Sequence, residues 1–264
     1  MKKRFLALII LSFVINMGYA QDKSLFEKQL FISGEDTLLC RILSPINFEA
    51  SKKYPVIVFL HGAGERGNDN EAQLNWGADA FLDSLTRVNY PAIVVFPQCP
   101  KNSKWSEYNK SSASDSTGYE WPAEQKIFPS LKLVMDFIDT LKGSNQVDSK
   151  RIYIGGLSMG GFGTLELLWR RPDLFAAAFP ICGAVNPEKS KEFKPNLPLW
   201  IFHGDSDPVI PVSNSRLLYS QIKARSKNVK YTEYPGVGHN SWINAMNEPQ
   251  LMSWLFAQKL KGKK

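Results

Sequence analysis

The chain has 264 residues, 44% hydrophobic and 22% charged, which is the balance of an ordinary soluble globular protein with room for a sizeable core. The formal net charge is +7, but three of those charges are Lys2, Lys3 and Arg4 and others gather in the tail "KLKGKK". With no basic run interleaved with aromatic residues, a nucleic-acid surface is not expected.

The N-terminus, "MKKRFLALIILSFVINMGYA", combines a basic start, a short apolar stretch and small residues at Gly18 and Ala20. This is the pattern of a secretory signal peptide cut after Ala20, and the apolar stretch, interrupted by Ser12 and Asn16, is too short for a comfortable membrane span. Export to a periplasmic or extracellular site is therefore expected, with no stable membrane insertion after cleavage. Residues 21–264 carry no repeat and no interdomain linker and read as a single domain.

Residues 25–32 and 37–43 predict a leading antiparallel pair with Ser33-Gly34 in the turn. Apolar or β-branched runs at 55–60, 92–98, 151–157, 176–182, 197–204 and 229–235 predict further strands. Several do not alternate, as strands buried on both faces should not. Between them lie helical patterns at 124–143, 214–227 and 249–261; in the first, Ile127, Leu131, Val134, Ile138 and Leu141 share one face. Strands separated by helices predict an α/β fold with a mostly parallel sheet of about eight strands and helices on both faces. Ligands bind such sheets at the carboxyl ends of the strands. One segment, 101–125, is long, polar and serine-rich. It reads either as a solvated loop or as a lid-like insertion with Trp105, Tyr108, Tyr119 and Trp121 as contact points. Cys40, Cys99 and Cys182 match no metal spacing and read as small buried residues rather than a disulfide.

The chemistry is sought after each strand. "RIYIGGL" runs into "GLSMGGFG", a Gly-x-Ser-x-Gly sequence centred on Ser158. A nucleophilic serine needs a sharp strand-to-helix turn with small neighbours, so that its hydroxyl projects clear of the sheet. Serine also needs a base. There are three histidines; His61 and His203 directly follow strands and read as turn supports, whereas His239, in the glycine-flexible loop "YPGVGHNSW", can reach over the sheet. The base needs a carboxylate to fix its tautomer. "HGDSDPVIP" supplies Asp205 and Asp207; Asp207 is favoured for its sideways reach, and Asp205 reads as a turn cap. The chain order Ser158, Asp207, His239 is that of the α/β-hydrolases.

Over residues 25–260 the sequence resembles the α/β-hydrolases. "FLHGAGERGNDN", "FPQCP", "GLSMGGFGT", "HGDSDPVIPV" and "GHNSW" resemble more narrowly the secreted esterase-type hydrolases known as predicted peptidases. These neighbour the feruloyl esterases, the polyhydroxybutyrate-depolymerase-like esterases and the phospholipase/carboxylesterase group. The resemblance implies a triad of Ser158, Asp207 and His239, and hydrolysis of an ester through an acyl-enzyme without a cofactor or metal. An oxyanion hole would come from the N–H groups of Met159 and of the "HGAGERG" loop, with Ala63 favoured over Gly64. Trp105 and Trp242 read either as half-buried plugs or as stacking surfaces for an aromatic acid or a sugar. Glu65 and Arg66 are expected to pair and stiffen their loop. The expected substrate is a small-molecule or polysaccharide ester and the expected state a monomer. A serine peptidase of prolyl-oligopeptidase type and a non-catalytic binding module are the competing readings.

Overall fold

The computed structural model describes residues 22–111 and 117–261; the expected signal peptide lies outside the described residues. Eight strands form one sheet in the order β1-β2-β4-β3-β7-β8-β9-β10. They are β1 (Glu27–Ser33), β2 (Asp36–Leu43), β3 (Tyr54–Leu60), β4 (Ile93–Gln98), β7 (Val147–Leu157), β8 (Ala177–Ile181), β9 (Leu199–Gly204) and β10 (Val229–Tyr234). The first hairpin pairs Ser33 with Asp36, and Gly34 supplies the positive φ (63°) its two-residue loop requires. β2 meets β4 antiparallel, and from β4 to β10 every pairing is parallel. Six carboxyl ends therefore open on one edge of the sheet.

Strand residues alternate between two cores, as a period of two dictates. Val56, Val58 and Leu60 of β3 face a layer containing α3 (Pro129–Gly143), α4 (Met159–Arg170) and α6 (Ser213–Lys223). Ile57 and Phe59 face the opposite layer, with α1 (Ala78–Leu82), α7 (Trp242–Met246) and α8 (Leu251–Phe256). The short helices α2 (Ser84–Asn89) and α5 (Pro187–Ser190) complete the chain. In α3, Leu131, Val134 and Ile138 are all buried, each worth roughly 1.5–3 kcal/mol of apolar transfer. This helix begins at Pro129 rather than at 124: a residue preceding proline is disfavoured in the helical region, and Phe128 is extended (ψ 142°).

In its described parts, 101–111 and 117–125, the expected loop or lid-like segment is more internal than a solvated loop; residues 112–116 lie outside the described residues. It carries a small hairpin of β5 (Asn109–Lys110) and β6 (Tyr119–Glu120). Tyr119 packs with Phe162 of α4 and Ile210, and Tyr108 and Trp121 close over them. The segment is tied down where Gln125 Nε2 donates to Glu166 (3.1 Å), a buried carboxylate that also takes Arg170 Nε at 2.7 Å. Cys40, Cys99 and Cys182 are buried and free. Among the described residues no helix is long and apolar enough to cross a membrane.

Candidate active site

The turn from β7 into α4 sets Ser158 at φ 53°, ψ −120°, a conformation that L-residues rarely adopt. It persists because the chain on both sides is locked. Ser158 N–H donates to Ile181 O at 3.0 Å, and Phe162 N–H returns to Ser158 O at 3.1 Å. Space alone dictates Gly160: a Cβ there would lie 1.9 Å from Leu60 O. Helix α4 is thereby pressed against the end of β3, with the serine at its cap.

Three loops meet at Ser158. Its Oγ lies 2.9 Å from His239 Nε2, delivered by the loop after β10. His239 Nδ1 lies 2.7 Å from Asp207 Oδ2, delivered by the loop after β9. The Asp207 side chain is fully buried and that of His239 is 20% exposed. Burial pushes the Asp207 carboxyl up, but donors on both oxygens outweigh it and hold it well below the usual carboxylate range: His203, His239 and the N–H groups of Ile210 and Val209. Asp205 does other work, accepting Gly236 N–H at 2.7 Å and the Ser206 hydroxyl at 2.8 Å.

His61 is buried, with both ring nitrogens committed. Nε2 accepts Cys99 N–H at 2.9 Å, so Nδ1 carries the hydrogen and donates to Gly62 O at 2.6 Å. Burial lowers its pKa from 6.5 to about 4, and the neutral ring fastens the loop after β3 to the end of β4. That loop passes close beside Ser158: a Cβ on Gly62 would lie 3.7 Å from Ser158 Cβ. Ala63 opens a single 3-10 turn, Ala63–Glu65, and Met159 opens α4. Both stand where first-turn N–H groups lack an intrahelical acceptor. The rest of the "ERGNDN" stretch is stitched to Gln98, whose amide bonds Asp69 Oδ1 (2.8 Å) and Asn70 N–H (2.8 Å).

Two expectations fail here. Glu65 and Arg66 do not pair, because Glu65 closes the 3-10 turn while Arg66 leaves it in extended backbone (ψ 137°) and finds other partners. Arg66 instead donates to Ala63 O (2.9 Å) and Ser103 O (3.2 Å). The Glu65 carboxyl turns inward beside Gly62, where burial raises its pKa against the opposing pull of the Glu65 and Gly62 N–H groups. Trp105 offers no stacking surface, since its exposure is 0%. Its Nε1 donates to His61 O at 3.0 Å, and it packs against Gly163 of α4. Trp242 does stand at the site, its ring meeting that of His239 edge-on at 5.3 Å. It is joined by Trp76, 42% exposed and 5.8 Å from it between ring centroids. In the sequence Trp76 is signalled only by a lone tryptophan in a polar stretch just before Gly77.

Among the described residues, Cys182, Asp207 and His239 bring potential metal-ligand atoms within 4.8 Å of one another. Burial pushes the Cys182 thiol up to about 12, so it stays protonated, and the other two groups already bond each other. A cation there would have to break the Asp207–His239 contact.

The fold and family are shared with known proteins. A crystal structure of a thermostable esterase shares 37% identity and a TM-score of 0.79, covering 90% of this chain and 64% of that one. The feruloyl esterase module from Clostridium thermocellum, solved with sinapinate, has the same fold at 16% identity (TM-score 0.63, 90% of each chain). Acyl-protein thioesterase 1 of Neurospora crassa is 25% identical over 202 residues, 72% of this chain and 82% of its own. The bifunctional acetylxylan esterase/xylanase of Neocallimastix patriciarum is 25% identical over 67% of this chain and 22% of its own. Residues 44–251 match the family described as phospholipase/carboxylesterase; the chain belongs to that family and is an α/β-hydrolase of the carboxylesterase type.

Proposed function

We propose that the protein is an exported serine esterase acting on acyl esters of carbohydrates or other small alcohols. The observation that carries this reading is the continuous contact from Ser158 Oγ through His239 to Asp207, set at the strained end of β7. His239 Nε2 takes the proton of Ser158 as Oγ bonds to the acyl carbon. The carbonyl electron pair moves onto oxygen, where the N–H groups of Met159 and Ala63 receive it. Each such donor contributes about 2.7–4 kcal/mol to the transition state. His239 then gives its proton to the departing alkoxide as the ester C–O bond breaks. Water repeats the sequence against the acyl-enzyme, releasing the acid and restoring Ser158. Asp207 stays ionised throughout, fixing the His239 tautomer and offsetting the imidazolium charge.

The alcohol leaves on the side of His239, where Trp242 and Trp76 stand. An exposed aromatic ring suits the apolar face of a sugar or an aryl group. The likeness to an acetylxylan esterase supports the reading of a carbohydrate ester. Export rests on the basic and apolar N-terminus.

The test is a panel of p-nitrophenyl acetate, acetylated and feruloylated oligosaccharides, and peptide anilides, run on wild type and Ser158→Ala. Ester turnover that falls by at least about 10⁴-fold in the variant is expected, with the melting temperature kept. Turnover surviving in a clean Ser158→Ala preparation, or cleavage of anilides alone, would sink the proposal.

A further inference from the structure

Two imidazoles, not one, hold the carboxylate of Asp207. His203, near the end of β9, is fully buried. Its Nε2 lies 3.0 Å from Ile210 O and 3.2 Å from Asp207 Oδ2. Both partners can only accept, so Nε2 carries a hydrogen in either charge state of the ring and shares it between them. Its Nδ1 lies 2.7 Å from the hydroxyl of Ser215 on α6, a residue that is itself buried. On the other side of the carboxylate, Oδ1 accepts Val209 N–H at 2.8 Å and Ile210 N–H at 2.9 Å. Each oxygen of Asp207 therefore has two donors, and the group cannot turn about its Cβ–Cγ bond without losing all four. Ile210 is held from both directions, giving its N–H to the carboxylate and its carbonyl to His203.

We infer that His203, backed by Ser215, is a positioning residue of the esterase: it keeps Asp207 Oδ2 aimed at His239 Nδ1 and shares the carboxylate's charge. This rests on the triad reading given above. The mechanism needs one donor on Oδ2, from His239. The second regulates how strongly the carboxylate attracts the proton on His239. Take it away and the imidazolium form is favoured, so the base stays occupied to a higher pH. Other ionisable groups also face this cluster. Cys182, just past β8, presents a protonated thiol. Tyr119 of β6 faces Asp207, its hydroxyl held protonated by burial. Glu233 of β10 pairs with His203 across the sheet and is neutralised by Arg216 at 2.6 Å. None of them donates a hydrogen bond to Oδ2, so His203 is the group whose removal the pH profile should register.

The experiment uses the full chain and hydrolysis of p-nitrophenyl acetate between pH 5 and 9. His203→Phe keeps the ring's bulk but removes the N–H. It should lower kcat about tenfold, the scale of one hydrogen bond to a charged group, with KM within about twofold. The acid limb of kcat/KM should move up by about half a pH unit. His203→Gln restores a donor and should recover most of both. A folded His203→Phe enzyme with the wild-type kcat and pH profile would overturn the inference. If that variant does not fold, Ser215→Ala carries the test, because losing the hydroxyl weakens the His203 donor through the chain of bonds. The same upward displacement is expected, and a superimposable profile overturns the idea. Ser158→Ala in parallel separates the cases: turnover surviving there refutes the triad, whereas a dead Ser158→Ala beside an unaffected His203→Phe refutes the role of His203 alone.

Discussion

His61 makes the fold sensitive to acid, and the size of the effect follows from its surroundings. The ring is 1% exposed, and burial lowers its pKa from 6.5 to about 4. A base whose pKa is depressed on folding takes up its proton more readily when unfolded. The unfolded chain thus binds more protons between pH 6.5 and 4, and stability falls as pH drops through that window. A displacement of this size costs about 3 kcal/mol once complete, and between about 2 and 3 kcal/mol by pH 4.5. His61→Gln keeps a donor and an acceptor at the loop but does not titrate. Urea denaturation of wild type and variant at pH 7.5 and 4.5 isolates the effect, because losses from all other groups are shared. The variant should start less stable at pH 7.5 and lose less on acidification, by between about 2 and 3 kcal/mol. Parallel losses in the two proteins would refute the reasoning and mean that the ring accepts its proton inside the fold.

Glu65 should act in the opposite sense. Burial raises its folded pKa, so the folded state holds the proton more tightly and its ionised form is a cost at high pH. Glu65→Gln should raise the melting temperature at pH 8, with the gain shrinking toward pH 4; no gain at pH 8 would count against a buried charge. Gly160→Ala should destabilise the protein by at least about 3 kcal/mol, because the new Cβ meets the backbone of Leu60 rather than a side chain that can move. A melting temperature within about 2 °C of wild type would show that α4 can withdraw from β3.

The sheet could be read in the sequence because its strands are buried on both faces, and unalternated runs such as "PVIVFL" have few other fates. The site could be read in part because a Gly-x-Ser-x-Gly turn and a histidine in a glycine-rich loop are local signals. What escaped was set by contacts between distant segments. Trp105 sits in a polar stretch and gives no hint that the chain folds back to bury it against α4. Glu65 and Arg66 are opposite charges side by side, and only the 3-10 turn shows that they point apart. His203 reads as a turn support, and its hold on Asp207 appears only when the loop after β9 curls back over its own strand. The short helices α1, α2 and α7 have too few turns for a periodic pattern to declare them.

The three cysteines acquire a use from their positions. All are buried, and burial raises each thiol well above its ordinary pKa, so in the folded protein they present almost no thiolate to a reagent. One lies on β2, one follows β4 where its backbone binds His61, and one directs its Sγ to the carbonyl of His239 at 3.6 Å. A thiol reagent can reach them only when the chain around them opens, so the labelling rate at each site measures a local opening free energy. Mass spectrometry of the labelled peptides would then compare the second strand of the sheet, the end of β4 beside His61 and the loop after β8 within one sample. The molecule thus carries reporters of local opening at three places in its fold, with no residue introduced for the purpose.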